Sequence, residues 1–282
     1  AGNMRFSLYA NVNKDANGLF LAQVCKYIES IGSEVIHSEI VSKGGKTDIS
    51  KVMHSDVIIT LGGDGTLLDI AQKTKSLSIP LVGINIGSLG FLTQIEKNNY
   101  EELIKSITLK QYTISKRAML SAKVYRNDKL IYDIDALNDV VITRKVTGDT
   151  VAVSVDINGS YIDTYDGDGV IISTPTGSTG YQMSAGGPVS DPEADIMLMT
   201  PICPHMMHKQ TYILKDDSNI VLTVEEDESF DCCFSYDGIA SSLKGRDVIK
   251  VKKSNSFIPL LKIQGNSFYE NLRNKIYYRG AK

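Results

Sequence analysis

The chain has 282 residues, 42% of them hydrophobic and 22% charged, with a formal net charge of -3. This is the size of one large domain or two ordinary ones, in the composition range of soluble globular proteins. The weak net charge supplies no field to draw nucleic acid or an anionic membrane, and no apolar run approaches the roughly 18 residues that a membrane-spanning helix needs. No partner of either kind is expected.

The first third alternates strand and helix patterns. Arg5 to Ala10 reads as a strand and Gly18 to Ile31 as a helix, ended by Gly32, a residue type common just past helix C-termini. Glu34 to His37, Val57 to Leu61 and Leu81 to Ile86 read as further strands, with a helix from about Thr66 to Lys75. That order predicts an α/β domain on a parallel sheet. After about Ser115 the pattern changes to short strand-like runs: Ala118 to Tyr125, Leu130 to Asp135, Val140 to Arg144, Val151 to Ile157 and Val170 to Ser173. The runs Tyr212 to Leu214, Ile220 to Val224, Cys232 to Tyr236 and Val248 to Val251 continue it. Turn signals at Asn127-Asp128, Gly148-Asp149 and Asn158-Gly159 separate several of them, and Asn-Gly between alternating runs is a strong hairpin signal. The expected architecture is an α/β N-terminal domain, residues 1–115, rejoined by a C-terminal helix at about 267–282. A β-rich, mainly antiparallel and sandwich-like domain, residues 116–266, follows it, with a cleft expected between the two.

Leu61-Gly62-Gly63-Asp64-Gly65-Thr66 is the most informative stretch. It joins the Val57 strand to the following helix, at the C-terminal end of a parallel strand where ligands of such sheets sit. Bare backbone lets a phosphate approach amide N–H groups and a helix N-terminus. A carboxylate there repels phosphate unless it faces a metal, a ribose hydroxyl or a proton to be removed. The stretch therefore points to phosphoryl transfer or nucleotide recognition with Asp64 at the chemistry, although Gly-Gly-Asp-Gly is also a good tight turn by itself.

Asn138-Asp139 precedes an apolar strand and reads either as a turn or as a hydrogen-bonding pair for a ribose or a base. From Asp166 to Pro188 the chain is dense in glycine and hydroxyl residues, including Thr179, Gly180, Tyr181 and Ser184. Such a run between apolar segments predicts a lined site that could take a planar base. Pro201 to His208 contains Cys203, His205 and His208 but no second cluster to complete a zinc site, so no metal ligands are expected in the chain. Gly45-Lys46-Thr47 lacks the opening glycine of a P-loop, since Ile40 stands there. The four cysteines, Cys25, Cys203, Cys232 and Cys233, form no C-x-x-C pair. Polar residues by Asn11 and Asn13 leave no signal-peptide pattern. Both features predict a reducing, cytoplasmic compartment.

Taken in order, the Gly62 to Thr66 turn, Asn138-Asp139, the Asp168 to Pro188 segment, Pro201 to His205 and the ending Phe268 to Ile276 resemble the NAD kinase family. The turn alone is shared with phosphofructokinases and with diacylglycerol and sphingosine kinases; the long Thr174 to Pro188 run is far more specific. The resemblance implies transfer of a phosphoryl group from ATP, with Mg²⁺, to the 2′-hydroxyl of the adenosine ribose of NAD, and a homo-oligomer, tetramer or dimer. By position it implies that Asp64 is the catalytic residue and that Gly65 lets the backbone approach the phosphates. It likewise implies that Asn138 and Asp139 bind ribose hydroxyls or adenine, and that Thr179, Gly180, Tyr181 and Ser184 hold adenine and the nicotinamide end. Asp168 would bind the nicotinamide amide or its ribose, and the Gly87 to Phe91 loop would close one wall. Asp166, placed in the same dinucleotide site, stands where many members carry a basic residue. Gly180 stands where many have alanine, and Lys209-Gln210 replaces a usual Arg-Pro. Two rival readings are a lipid or sugar kinase sharing only the Gly-Gly-Asp-Gly turn and an NAD(P)-binding sensor without turnover.

Overall fold

The computed structural model describes residues 3–280, with 88, 94, 264 and 266 excepted. The chain divides into two compact units, one of residues 1–116 and 258–282, the other of residues 117–257.

The first unit opens with β1 (Arg5–Asn11), α1 (Leu19–Ser30), β2 (Glu34–Val41), β3 (Val57–Gly62) and α2 (Asp64–Thr74). It continues with β4 (Leu81–Asn85), the short β5 (Ile95–Glu96) and α3 (Tyr100–Thr108). Strands β2, β1, β3 and β4 lie side by side in that order, all parallel, as the strand–helix alternation predicts. β3 is buried along its whole length, which explains its unbroken apolar run. Asp15 starts α1 from a distance: its carboxylate accepts the N–H groups of Phe20 and Leu21 at 3.1 and 2.8 Å. Helix α3 has no counterpart in the reading above. Its Tyr100, Leu103, Ile104 and Ile107 are buried at the i, i+3, i+4, i+7 spacing of one helix face, against a core of Phe6, Leu8, Phe20 and Val24.

The long β6 (Tyr112–Arg126) leads into the second unit. There follow β7 (Lys129–Ala136), β8 (Asp139–Arg144), β9 (Val151–Ile157), β10 (Ser160–Gly167) and β11 (Gly169–Ser173). After a 3₁₀ turn at Thr176–Thr179 and the single helical turn α4 (Tyr181–Ser184) come β12 (Ile196–Ile202) and β13 (Tyr212–Lys215). The remaining elements are β14 (Ile220–Val224), β15 (Asp231–Tyr236), β16 (Ile239–Lys244), β17 (Val248–Ile263) and α5 (Phe268–Gly280). The end of β17 and α5 belong to the first unit, where Leu260 pairs with Leu81 of β4 in parallel. Positions 281 and 282 of the expected C-terminal helix lie outside the described residues.

In the second unit β10, β9, β14 and β17 form one antiparallel sheet. The order β13-β12-β11-β8-β15-β16 forms another, also antiparallel throughout. Val153, Val155, Leu222 and Ile249 of the first meet Val140, Ile142, Val170, Ile172 and Phe234 of the second in one core, the sandwich that the sequence predicts. Asn127-Asp128 and Asn158-Gly159 each turn with both φ angles positive, joining β6 to β7 and β9 to β10 as two-residue hairpins. A third such turn, Asp237-Gly238, joins β15 to β16. Pro201 sits inside β12, but its β13 neighbour pairs no further than Met199, so the missing N–H breaks no ladder on that side.

Candidate functional site

Asp64 is the first residue of α2, and its side chain is committed rather than free. Oδ1 accepts the N–H groups of Leu92 and Thr93 at 3.1 and 2.9 Å and the Thr93 hydroxyl at 2.8 Å. Oδ2 accepts the Phe91 N–H at 2.8 Å. Thr93 is itself fully buried and its hydroxyl takes a bond from Asn85 Nδ2 at the end of β4, 3.2 Å away. Gly90 makes this possible, because a Cβ there would collide with Asp64 Oδ1 and the Thr93 hydroxyl. Beside the clamp lies a cavity of about 200 Å³ whose lining includes Asp64, Gly63, Lys14 and Lys275. The Lys275 ammonium stands 3.8 Å from the centroid of the Phe91 ring, a cation–π distance. Of the expected Gly87 to Phe91 loop, Ser88 lies outside the described residues.

The glycines of the turn divide by role. A Cβ on Gly62 would strike the Thr66 hydroxyl, which Asn11 Nδ2 holds at 3.0 Å, so Gly62 is a packing glycine. Among the described residues, Gly63 and Gly65 have nothing within 4 Å of such a Cβ. Their backbone faces open space next to a second cavity, of about 250 Å³, to which Lys14, Lys43 and Asp69 contribute. The Thr66 N–H already bonds the Gly63 carbonyl at 3.0 Å, but the N–H groups of the first two helical residues precede any intrahelical acceptor, which leaves backbone at a helix N-terminus in the arrangement suited to phosphate.

In the second unit the structure brings Asn138, Asp139, Gly180 and Tyr181 together. Asn138 and Asp139 lead into β8, and a Cβ added to Gly180 would stand 3.6 Å from Asn138 Nδ2 and 3.7 Å from Asp139 Oδ2. Gly177 lets the 3₁₀ turn pack on the Asn138 carbonyl, where a side chain would collide. The same carbonyl accepts Thr174 N–H at 2.9 Å and the Ser173 hydroxyl at 3.2 Å. Asn138 Oδ1 is buried and, among the described residues, has no hydrogen-bond partner. A buried amide oxygen left bare costs on the order of 1–3 kcal/mol, so it marks a place for a donor. Asp139 is 7% exposed, and burial followed by the charge of Asp237 pushes its carboxyl up to about 7.

Asp237 is a residue that the sequence reading missed. From the β15–β16 turn it accepts the N–H groups of Leu137 and Asn138, both at 2.7 Å, and that of Asp139 at 3.4 Å. Arg144 was missed too: its Nε donates to Asp168 Oδ1 at 2.7 Å and its Nη1 to the Val146 carbonyl at 2.9 Å. Asp168 lies near the Tyr181 phenol, which burial and then the Asp168 charge raise above its ordinary value. Thr179 donates to the Thr176 carbonyl at 3.4 Å, and Ser184 is exposed at the end of α4. Asp166 is exposed; its carbonyl accepts the His205 N–H at 2.8 Å, and among the described residues its carboxylate has no hydrogen-bond partner. Among the described residues no group of three or more His, Cys, Asp or Glu side chains could hold a metal ion. All four cysteines are free thiols, and no described helix is long and apolar enough to cross a membrane.

The chain matches two family descriptions: ATP-NAD kinase N-terminal domain over residues 26–112 and ATP-NAD kinase C-terminal domain over residues 137–263. It is 38% identical to the NAD kinase of Thermoanaerobacter sp. (strain X514) over 276 residues, covering 95% of this chain and 97% of that one. With the NAD kinase of Lachnoclostridium phytofermentans it shares 37% identity, over 96% of this chain and 98% of the relative. Among solved structures, an NAD kinase from Archaeoglobus fulgidus in complex with ATP aligns with a TM-score of 0.78 and 26% identity, over 97% of this chain and 99% of that one. The fold is also that of yeast NADH kinase complexed with NADH, with a TM-score of 0.82 at 21% identity, over 98% of this chain and 88% of the yeast chain. The Gly-Gly-Asp-Gly turn at the head of α2 falls within the first matched stretch and Asn138-Asp139 within the second, and the chain belongs to the NAD kinase family.

Proposed function

We propose that the chain transfers the γ-phosphoryl group of ATP to the 2′-hydroxyl of the adenosine ribose of NAD, giving NADP and ADP. The bond from the ribose O2′ to the γ-phosphorus forms, the bond from that phosphorus to the β,γ-bridging oxygen breaks, and the hydroxyl proton passes to Asp64 Oδ2 and from there to water. The observation that carries the reading is the bare Oδ1 of Asn138, buried beside Asp139 and Gly180 in a chain of this family. An amide oxygen awaiting a donor, next to a second polar edge and a glycine, suits a purine or its ribose. Thr179, Tyr181 and Ser184 complete this dinucleotide site, with Tyr181 supplying a flat face. Asp168, held by Arg144, binds toward the nicotinamide end, and Asp166 borders the site from the exposed end of β10.

Asp64 is the catalytic residue in this reading. Its Oδ1 is occupied by three donors and its Oδ2 by one, which leaves Oδ2 a lone pair for a single hydroxyl. That favours orienting the 2′-hydroxyl for in-line attack, the larger need when the transition state is loose. Gly65 gives the phosphates access to the backbone. Bound with ATP, Mg²⁺ would supply neutralisation of charge on the phosphates. The free thiols suit a cytoplasmic enzyme, and we assign it a homo-oligomeric state, dimer or tetramer, which light scattering after size exclusion tests.

The test is NADP formation from NAD, ATP and Mg²⁺, read by an NADP-specific dehydrogenase, with polyphosphate as the donor in a parallel assay. Asp64→Asn should keep NAD affinity within about tenfold and lower turnover by about 10² or more. Binding of NAD without NADP from either donor would replace this reading with that of a dinucleotide sensor.

A further inference from the structure

Asp237 takes no part in the function proposed above, yet it is built into the same corner of the second unit. Its two oxygens accept three successive backbone N–H groups, those of Leu137, Asn138 and Asp139. The Asp237 N–H returns a bond to the Asp139 carbonyl at 3.3 Å. The Asp237 backbone adopts φ of 47°, a left-handed conformation fixed by the Asp-Gly turn, so the carboxylate is aimed by the hairpin and not by a flexible loop. We propose that Asp237 is the positioning residue of the base subsite, orienting Asn138 and Asp139 as a donor–acceptor pair that reads the amino group and an adjacent ring nitrogen of a purine. This rests on the reading that Asn138 and Asp139 bind the adenine end of the dinucleotide.

The chemistry follows from charge. Three N–H donors favour the ionised form of Asp237. Asp139, buried next to that charge, has no hydrogen bond to its own carboxyl among the described residues and titrates near 7, not in the usual carboxylate range. The titratable groups facing it are Asp237 from the β15–β16 turn and the Tyr181 phenol from α4, and neither supplies a positive charge to hold it ionised. Below pH 7 Asp139 is therefore a neutral acid with an O–H to donate. Asn138 Oδ1 is a buried acceptor without a donor among the described residues. An acceptor beside a donor is the complement of a purine edge that presents an amino group beside a ring nitrogen. Asp237 thus acts twice, through the backbone that carries both side chains and through the charge that keeps the proton on Asp139.

The experiment is calorimetric titration of the full chain with NAD from pH 5.5 to 8.5, for wild type, Asp237→Asn, Asp139→Asn and Asn138→Ala. For wild type the dissociation constant should rise about tenfold between pH 6 and pH 8, as the Asp139 proton is lost near 7. In Asp139→Asn that dependence should vanish. In Asp237→Asn its midpoint should move to lower pH and the NAD KM should rise about tenfold, with kcat at saturating NAD within about threefold. A profile for Asp237→Asn that overlays wild type would overturn the role of Asp237 while leaving the dinucleotide site intact. Unchanged NAD affinity in Asn138→Ala would instead remove the underlying site, and the inference with it. If Asp237→Asn does not fold, wild type and Asp139→Asn decide: a flat wild-type profile, or one that persists without the Asp139 carboxyl, overturns the proposal.

Discussion

Gly90 and the Asp64 carboxylate occupy adjoining space so closely that a Cβ on Gly90 would overlap Asp64 Oδ1. The loop after β4 can wrap the carboxylate with its Phe91, Leu92 and Thr93 amides only because position 90 has no side chain. Gly90→Ala must either expel the carboxylate or move the loop. The variant should lose about 1–3 kcal/mol of stability, the usual cost of overpacking, and at least about 10² in NADP formation. Urea denaturation and the coupled assay check the two effects separately.

Gly65→Ala should do the opposite. Gly65 is the second residue of α2, outside the left-handed region, and an added Cβ meets nothing within 4 Å. Alanine in a helix gains about 0.5–1 kcal/mol over glycine, so the melting temperature should rise. Activity should fall, because the methyl group occupies the space a phosphate would use. A variant both more stable and fully active would remove Gly65 from the substrate site.

Arg126 and Asp247 provide a stability test away from the chemistry. Asp247 is fully buried and takes bonds from Arg126 Nε at 2.8 Å, Arg126 Nη2 at 2.7 Å and the Lys244 N–H at 2.8 Å. The Arg126 side chain keeps 38% of its exposure, so the two partners are not equivalent. Arg126→Ala strands a buried carboxylate and should cost about 3–5 kcal/mol. Asp247→Asn leaves an arginine that can reach water and should cost less. The urea midpoints of the two variants give the order.

The raised Asp139 group also makes a prediction about stability and pH. In the unfolded chain it loses its proton near the ordinary aspartate value, in the folded chain near 7. Between those values the unfolded state binds fewer protons, so this group's contribution to stability falls as pH rises and levels off about one unit above the folded-state value. From pH 5 to pH 7 the loss is roughly 2–3 kcal/mol. The stability difference between Asp139→Asn and wild type should therefore shift in the variant's favour over that interval. Denaturant titrations at pH 5 and pH 7.5 measure it; a difference independent of pH would place the Asp139 carboxyl in its ordinary range.

Features encoded locally were legible in the sequence. The Val57 run, its glycine turn and the start of α2 follow from burial, bare backbone and helix pattern within a dozen residues. Asn127-Asp128 and Asn158-Gly159 announce their hairpins because both central residues tolerate positive φ. By the same rule Asp237-Gly238 predicts a hairpin, but its second strand, Ile239–Lys244, is rich in small and polar residues and carries no apolar run to notice. β12 was obscured by Pro201, whose tolerance depends on how far its neighbour extends. Helix α3 carries its own signal in the spacing of Tyr100, Leu103, Ile104 and Ile107. The partners of Asp64 are different in kind. They lie 27 to 29 residues along the chain and three of the four bonds come from backbone N–H groups, which every residue but proline possesses. Asp237 reaches Leu137 to Asp139 across about a hundred residues in the same way.

The two glycines flanking Asp168 suggest how this part of the enzyme can and cannot change over generations. A Cβ on Gly167 would press on Cys203 and Pro204, and one on Gly169, at φ of 151°, would run into the Ile142 carbonyl. Each contact is with main chain, which no rotamer change can move aside. Asp-Gly-Asp-Gly therefore works here as missing volume rather than as slack, and no single substitution at 167 or 169 is a small step. Variation around the Asp168 carboxylate has to enter through residues that face it, such as Arg144 or Tyr181, while the strand that carries it stays as it is.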